Sequence, residues 1–433
     1  MKIFLTIALI GGAAFGSAQN SAQNDALKVA HYFDPLGGVH LEQSLEWLEG
    51  VNEVFEREGQ GTSVEYELYA WDEIDERMII DTRAGIPHDV TFTSPQLMAQ
   101  HAAAGSLLDL SPYVEQWPQE EVEQFNWSPV WDAYPLGIPT GIHTRLVAYR
   151  SDMFEEQGVS GVPETLDELV EAAQALTTDN DGDGQPDVWG LGIYVGPQRA
   201  TVEVTFAPLL WHFGGQLWDS ETGEATFASE AGVEAAQFLY DLIHTYEVTP
   251  PWVVGGNYDA VVLNGLLDGQ FAMTWGYGSY WIAALEDAGM ASGCWPATVD
   301  CASSTASVFV TPTDGKAQFS NAWTVSVHSL SEQQDEAARY LETLLREGTL
   351  EEFADAGLPA RSATWERDEY DSDFYSAWFE AAQNGRSMPP TIHYGELADT
   401  ITVALSEILL QEAPIEETLG RAEDGFNAAY GGE

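Results

Sequence analysis

The stretch L-K-V-A-H-Y-F-D-P-L-G-G-V-H-L-E-Q-S-L-E-W-L-E-G-V-N-E-V-F, residues 27–55, sets the architecture of the first part of the chain. Its first seven residues are typical of a strand, and the Asp-Pro-Leu-Gly-Gly segment after them is typical of a loop. A helix is predicted next, because apolar residues recur on one face at Leu41, Leu45, Leu48, Val51 and Phe55. Strand-like segments at 64–68 and 89–92 follow, with a helix-like segment between them. This order predicts a parallel sheet covered by helices.

The same alternation returns later in the chain. Strand-like segments lie at 145–150, 188–194, 271–275 and 322–327, with helix-like segments between them. Helix starts are predicted at Thr165 with Glu168, at Ser229, and at Ser331 with Gln334, and the chain is helical again from about Leu397. Because 433 residues are too many for one ordinary core, we expect two doubly wound α/β lobes.

The charge of the chain restricts its partners. It carries 15 basic residues against 70 acidic ones, a formal net charge of −55, which would repel nucleic acid and anionic membranes. The 15 Trp, 17 Tyr and 18 Phe favour a folded globule over an acidic disordered chain. Two explanations of the acid surplus stay open: adaptation to concentrated salt, which screens self-repulsion, or an ordinary acidic exported protein.

The N-terminus is typical of an export signal. Lys2 precedes an apolar run at residues 3–15, and small residues before position 19 predict cleavage after Ala18. We therefore expect a signal peptide at 1–18 and a mature protein that is soluble in the periplasm or outside the cell.

Six short motifs, in this order, resemble the extracellular solute-binding proteins of ABC sugar importers, the class that includes maltose-binding protein. They are G-I-P-H-D-V with A-A-A-G-S-L-L-D-L (85–90, 102–110), Y-P-L-G-I-P-T with L-V-A-Y-R-S-D-M-F-E-E-Q-G (134–140, 146–158), P-E-T-L-D-E-L (163–169), A-P-L-L-W-H-F-G-G (207–215), D-G-Q-F-A-M-T-W-G-Y-G-S-Y-W (268–281) and A-D-A-G-L-P-A-R (354–361). The sequence departs from the family pattern at His88, commonly Pro, and at Arg150-Ser151, commonly Asn-Lys.

The resemblance implies the periplasmic-binding-protein fold: two α/β lobes joined by a hinge with several crossings, and a ligand cleft between the lobes. The N-terminal lobe would take residues 25–141 and 312–358, and the C-terminal lobe 142–311 and 359–433. Such a protein, expected to be a monomer, would close around a sugar and deliver it to the membrane subunits of an ABC transporter.

Motif positions within this family suggest the ligand contacts. A sugar site needs aromatic faces for C–H surfaces and polar groups for hydroxyls. The candidates that combine these properties with position are Asp34, Thr93, Ser94, Gln96, His143, Thr144, Tyr277, Tyr280, Trp281, Asn321, Trp323, Arg361, His393 and Tyr394. For each of them the alternative is packing or a solvated loop.

An aspartate-rich loop, T-T-D-N-D-G-D-G-Q-P-D-V-W-G at 177–190, resembles a calcium loop. The closing Glu of an EF-hand is missing, because Gly190 occupies that position. A shorter calcium site would use Asp179, Asp181, Asp183 and Asp187, with the carbonyl of Gln185. The alternative is a solvated Asx-Gly turn, and in either case the role would be structural.

Six residues separate the two cysteines, Cys294 and Cys301. In an oxidising compartment a local disulfide is expected, and two free thiols are the alternative.

Enzyme motifs are absent from the sequence. It contains no G-x-S-x-G, H-E-x-x-H or P-loop, and no G-x-G-x-x-G follows the first strand. With 70 acidic residues, pairs of carboxylates arise by chance and carry no weight as a glycosidase signature. We expect a binding protein for a neutral mono- or oligosaccharide, because scarce Lys and Arg disfavour anionic ligands. A secreted glycan-active enzyme or lectin, or a binder of a small cationic solute, stays open.

Overall fold

The structure is a computed structural model that describes residues 26–32, 41–58, 62–71, 73–125, 136–290, 305–309, 311, 318–346, 349, 358–371 and 373–432. The chain forms two compact units. Unit 1 comprises Met1–Ile142 and Ala322–Thr364, and unit 2 comprises His143–Asn321 and Trp365–Glu433. The divisions follow residues 142, 321 and 364, whereas the sequence placed them at about 141, 311 and 358.

The strands are short except for two. In chain order they are β1 (Leu27–His31), β2 (Val64–Leu68), β3 (Val90–Thr93), β4 (Ile138–Arg150), β5 (Trp189–Ile193), β6 (Trp218–Asp219), β7 (Glu224–Ala225), β8 (Phe271–Gly278), β9 (Ala306–Phe309), β10 (Gln318–Val327) and β11 (Gly385–Arg386). The two long strands, β4 and β10, each contain residues of both units. The division after residue 321 therefore falls inside β10, later than the boundary at about 311 that the family resemblance implies.

The helices are α1 (Leu41–Glu58), α2 (Ile74–Ala84), α3 (Met98–Ala103), α4 (Ser111–Val114), α5 (Gln119–Val122), α6 (Ser151–Gln157), α7 (Leu166–Leu176), α8 (Ala207–His212), α9 (Glu230–His244), α10 (Gly265–Leu267), α11 (Ile282–Asp287), α12 (Gln334–Leu345), α13 (Asp373–Asn384), α14 (Tyr394–Gln411) and α15 (Ile415–Tyr430). Two π-helical segments, Thr201–Phe206 and Asp259–Asn264, precede α8 and α10 directly. Among the described residues, no helix has the length and apolar character needed to cross a bilayer.

Unit 1 contains the predicted parallel sheet. Val29 of β1 pairs with both Tyr66 of β2 and Val90 of β3 in parallel register, and β10 runs antiparallel to β3. The predicted apolar face of α1 is buried at Leu48, Val51 and Phe55. Burial of a side chain such as Phe55 contributes roughly 2–3 kcal/mol.

Unit 2 has a mixed sheet. β8 pairs in parallel with β5 and antiparallel with β4, and β9 pairs with the other edge of β4. Between β4 and β8 the register shifts at Leu146 and Val147, so Gly276 forms a bulge with φ of 88°. A Cβ atom at Gly276 would lie 3.1 Å from Val204 Cγ2, in a backbone conformation that favours glycine.

The starts of three helices can be compared with the N-cap residues predicted for them. Thr165 caps α7, because its Oγ1 accepts from the backbone N–H of Glu168 at 3.2 Å. Ser229 precedes α9 as predicted, although its side chain makes no capping bond. The cap predicted at Ser331 is wrong: α12 begins at Gln334 after Gln333, and the Ser331 hydroxyl donates to Asp89 Oδ1 at 2.5 Å. A buried carboxylate is a stronger acceptor for that hydroxyl than solvent, and the backbone N–H of Gln333 donates to Ser331 Oγ at 3.0 Å.

Candidate functional site

The end of β8 carries three aromatic residues that the sequence predicts as ligand contacts. Tyr277 has no exposed surface, and its hydroxyl donates to the Trp281 carbonyl at 2.7 Å. Burial raises the Tyr277 pKa well above its ordinary value. Trp281 is 4% exposed, whereas Tyr280 is partly exposed. Tyr277 therefore makes packing contacts, and Tyr280 is the member of the three with accessible surface.

The first unit 2 residues of β4 lie beside Tyr280. The rings of His143 and Tyr280 have centroids 5.6 Å apart. The Arg145 guanidinium carbon lies 4.9 Å from the Tyr280 ring centroid and 5.7 Å from that of Phe319. Because residues 143 and 145 alternate with Thr144 along the strand, β4 presents His143 and Arg145 on one face. This arrangement is a ring face flanked by two nitrogen-bearing side chains.

A buried ion pair belongs to the same region of unit 2. Arg199 Nε lies 3.3 Å from Glu203 Oε1, and the Tyr394 hydroxyl donates to the same oxygen at 3.2 Å. Glu203 is 4% exposed and lies in the π-helical segment Thr201–Phe206. Burial, followed by the charge of Glu203, raises the Tyr394 pKa well above its ordinary value. Tyr394 thus meets a carboxylate within its own unit.

Tyr258 lies beside the aromatic residues at the end of β8. Its hydroxyl donates to the Gly276 carbonyl at 2.5 Å, and its ring centroid lies 5.0 Å from that of Trp281. Its pKa is raised well above its ordinary value, first by burial and then by the charge of Tyr280. Tyr258 directly precedes the second π-helical segment, and π-helical turns recur at functional sites.

We call this set the unit 2 cluster; its members are His143, Arg145, Arg199, Glu203, Tyr258, Tyr280 and Tyr394. The sequence had selected three of them: His143, Tyr280 and Tyr394. Arg145, Arg199, Glu203 and Tyr258 were missed, although a lone Glu in T-V-E-V-T-F is a signal for a buried, paired carboxylate. The cluster offers an aromatic face, guanidinium donors and hydroxyls, which suits a polyhydroxylated ligand.

Three further predicted contacts in unit 2 are Thr144, His393 and Asn321, and the Thr144 carbonyl accepts from Arg145 of the cluster at 3.2 Å. Thr144 donates its hydroxyl to the Phe319 carbonyl at 3.1 Å, which ties β4 to β10. His393 precedes α14, and its ring centroid lies 4.5 Å from that of Tyr430 in α15. Asn321, at the end of the first segment of unit 2, is 7% exposed. Their roles as ligand contacts stay predictions.

In unit 1, the predicted contacts at the end of β3 are buried. The Thr93 hydroxyl lies 2.9 Å from that of Thr324, and Ser94 donates its hydroxyl to Asp75 Oδ2. Gln96 is 7% exposed, in the turn that follows. These bonds fasten the carboxyl end of β3 within the unit.

Trp323 and Arg361 make separate contacts in unit 1. The Trp323 ring stacks on Tyr32 with centroids 4.1 Å apart and an interplanar angle of 14°. Arg361 donates to the Leu345 carbonyl at 2.8 Å and forms an ion pair with Glu121. Arg361 is 5% exposed, so its observed contacts hold unit 1 together. The unit 1 candidates thus lie in three separate sets of contacts.

One serine, one aspartate and one histidine are linked in unit 1, and their order matters. His101 Nε2 lies 2.9 Å from Asp75 Oδ1, and the Ser94 hydroxyl contacts the other oxygen of the same carboxylate. The carboxylate lies between the two partners, so these contacts give Ser94 no imidazole base. A hydrolase triad needs the imidazole next to the nucleophile.

The aspartate loop follows α7 and folds back on its own carboxylates. Asp179 accepts from the backbone N–H groups of Gly182 at 2.7 Å and Gly184 at 2.9 Å. Asp187 accepts from Asn180 at 2.7 Å, while Asp181 and Asp183 each accept from the residue two positions ahead, Asp183 and Gln185. Carboxylate oxygens of Asp179, Asp181 and Asp187 come within 4.8 Å of one another. The Asx turns are present, and calcium stays a prediction.

Three predicted residues lie outside the described part of the chain. They are Asp34, Cys294 and Cys301.

Solved structures with similar folds cover nearly the whole chain. An ABC transporter solute-binding protein from Thermotoga lettingae TMO, bound with alpha-D-tagatose, matches with a TM-score of 0.78 at 23% identity, over 94% of this chain and 100% of that chain. Maltose-bound MalE3 of T. maritima matches with a TM-score of 0.74 at 21% identity, over 93% and 100%. These likenesses confirm the predicted two-lobed periplasmic-binding-protein fold.

Sequence comparisons define the family. A binding protein of Brucella abortus (strain 2308) is 23% identical over 201 residues, which are 46% of this chain and 46% of that protein. The chain thus spans about half the length of the curated relatives it matches. The family model described as bacterial extracellular solute-binding protein matches residues 40–350. That match covers more than half of the chain, and the chain therefore belongs to the bacterial extracellular solute-binding protein family.

Proposed function

We propose that this chain is an exported binding protein that captures a neutral mono- or oligosaccharide and delivers it to an ABC transporter. The observation that carries the proposal is the partly exposed Tyr280 ring, flanked by His143 at 5.6 Å and Arg145 at 4.9 Å. A ring face that accepts a sugar C–H surface, with polar groups at its rim, is the minimum that saccharide recognition requires. Family membership and the saccharides bound by the two structural neighbours support the same ligand class.

The unit 2 cluster favours a saccharide over a small cation. An aromatic cage for betaine or a polyamine needs free ring faces. Here the Arg145 guanidinium lies over one face of the Tyr280 ring. A ligand cation at the other face would be repelled by that positive charge, whereas a neutral sugar would not. The proposal includes residues 1–18 as a signal peptide, a monomer as the working state, and no chemical change to the ligand.

A thermal-shift screen followed by chromatography tests the proposal. The full mature chain, in buffered molar KCl, would be melted with neutral mono- and disaccharides and with glycine betaine and spermidine. We expect one neutral sugar to raise the melting temperature and to be recovered unchanged after overnight incubation. A new product would assign the chain to glycan-active enzymes, and stabilisation by the cations alone would refute the saccharide.

A further inference from the structure

Arg145 differs from its neighbour on the same strand in what it contacts. Arg150 makes a two-pronged pair with Asp152, at 2.9 Å from Nε and 2.7 Å from Nη2. In the described part of the chain, no carboxylate lies within 4.0 Å of Arg145. Its Nη1 donates to the Thr144 carbonyl at 3.2 Å, and the guanidinium also donates to the Tyr258 hydroxyl. Arg145 Nε is buried without an acceptor among the described residues.

Aromatic rings hold the Arg145 guanidinium in place. Its carbon lies 4.9 Å from the Tyr280 centroid and 5.7 Å from the Phe319 centroid, within the range of cation–π attraction. Ring contacts fix the plane of the fork but use none of its N–H donors. A guanidinium has five donors, so most of the hydrogen-bonding capacity of Arg145 is left for another partner.

The charges around Arg145 are balanced. Arg199 and Glu203 form an ion pair at 3.3 Å, and Asp259 begins the π-helical segment next to Tyr258. Burial raises the Tyr280 pKa, the Arg145 charge opposes that shift, and Asp259 and Glu203 add to it. Two arginines and two carboxylates thus lie in the region of Tyr280. A neutral ligand would leave this balance unchanged, whereas an anionic one would upset it.

We propose that Arg145 is a specificity-determining residue of the saccharide site, donating paired hydrogen bonds to two adjacent hydroxyl oxygens of a neutral sugar. This inference rests on the proposed function. The planar fork matches two oxygens on neighbouring carbons, while the Tyr280 face accepts the C–H surface of the same ring. Such a site rejects a sugar that lacks one of the two hydroxyls, because the buried N–H group would then have no acceptor.

Calorimetric titration of the mature chain with the neutral sugar found in the screen tests this role. Arg145→Gln should weaken binding about 10- to 100-fold, the value of one to two charge-assisted hydrogen bonds. Arg145→Lys keeps the charge but loses the fork, and should weaken binding about 10-fold. Arg150→Gln removes an arginine from the same strand and should change the dissociation constant by less than about twofold.

Three further measurements test the role of Arg145. Circular dichroism melts of each variant separate lost binding from lost folding, and Arg145→Lys serves if Arg145→Gln does not fold. Deoxy sugars, each lacking one hydroxyl, would be titrated against both proteins. Wild type and Arg145→Gln should bind a deoxy sugar with equal affinity only when the missing hydroxyl is one that Arg145 contacts, which is expected at one or two ring positions. Unchanged affinity in both Arg145 variants, or tighter wild-type binding of the matching uronic acid than of the neutral sugar, would overturn the inference and leave the saccharide proposal standing. Absence of any sugar response in the wild type would overturn the proposed function itself.

Discussion

The Glu203 carboxylate lies in a buried π-helical segment and is 4% exposed. Its contribution to stability therefore depends on the groups that surround it. Arg199 at 3.3 Å and the Tyr394 hydroxyl at 3.2 Å compensate its charge. We expect Glu203→Gln to lower the free energy of unfolding by about 3 kcal/mol, because the substitution breaks a buried ion pair with Arg199. Urea denaturation followed by circular dichroism measures this change.

A solvent-exposed ion pair provides the matched control. Glu407 pairs with Arg421, whose side chain is 59% exposed. Glu407→Gln should change the free energy of unfolding by no more than about 1 kcal/mol, since exposed pairs contribute little. Equal losses in the two variants would show that the Glu203 pair is not the buried structural contact described here.

His328 in unit 1 is held as a neutral ring. Its Nδ1 accepts from the Leu330 backbone N–H at 3.0 Å. Its Nε2 lies 2.8 Å from Thr82 Oγ1, and that hydroxyl donates to the Met78 carbonyl at 2.7 Å, so Nε2 carries the hydrogen. Burial, with the charges of His101 and His88, lowers the His328 pKa to about 4. Protonation of Nδ1 would break the bond from Leu330.

The lowered pKa of His328 predicts acid sensitivity of folding. The unfolded chain takes up this proton near pH 6.5, and the folded chain only near pH 4, so the contribution is complete above pH 6.5 and is lost as pH falls towards 4. The advantage in unfolding free energy of wild type over His328→Asn should shrink by roughly 3 kcal/mol between pH 7 and pH 4. Denaturant titrations at both pH values measure it, and a constant difference would contradict the assignment.

At the scale of elements, local sequence was a good guide and distant contacts were not. The apolar spacing of α1 and the cap at Thr165 depend on residues within a few positions, and both were predicted correctly. Ser331 was misassigned because its acceptor, Asp89, is 242 residues away in the chain. The bulge at Gly276 depends on pairing with β4, which no local pattern reveals.

The unit 2 cluster shows the same limit. His143, Tyr280 and Tyr394 could be selected because they lie in or near motifs of a known family. Arg145 belongs to the cluster through its contact with the distant Tyr280 ring, and Glu203 through the hydroxyl of Tyr394, 191 residues away in the chain. Residue type alone did not separate Tyr277, which is fully buried, from Tyr280, which is partly exposed.

The aspartate loop is an element whose occupant can be tested directly. Carboxylates of Asp179, Asp181 and Asp187 lie within 4.8 Å of one another, and the sequence predicts calcium there. If calcium binds, 1 mM CaCl₂ at about 10 times the dissociation constant should stabilise the fold by about 1.4 kcal/mol over EDTA. Asp187→Asn should abolish this difference in thermal melts. A wild-type melt that is the same in CaCl₂ and EDTA would leave the loop as a set of Asx turns.

At the scale of the whole molecule, the net charge of −55 governs solvent dependence. Repulsion among surface carboxylates is screened over about 10 Å at 0.1 M salt and about 3 Å at 1 M. If the acid surplus is an adaptation to salt, the melting temperature should rise by about 5–10 °C between 0.1 and 2 M KCl. Sucrose at matched osmolality controls for general solvent exclusion. A melting temperature that rises equally in sucrose, or not at all, would favour an ordinary acidic exported protein.

Capture of a neutral saccharide without chemical change is what defines the proposed function. The most direct test is isothermal titration calorimetry of the full mature chain, in molar KCl, against individual mono- and disaccharides. We expect saturable binding of a neutral sugar at one site per chain, with the sugar recovered intact. Saturable binding of glycine betaine or spermidine with no response to any sugar, or conversion of the sugar to a product, would contradict it.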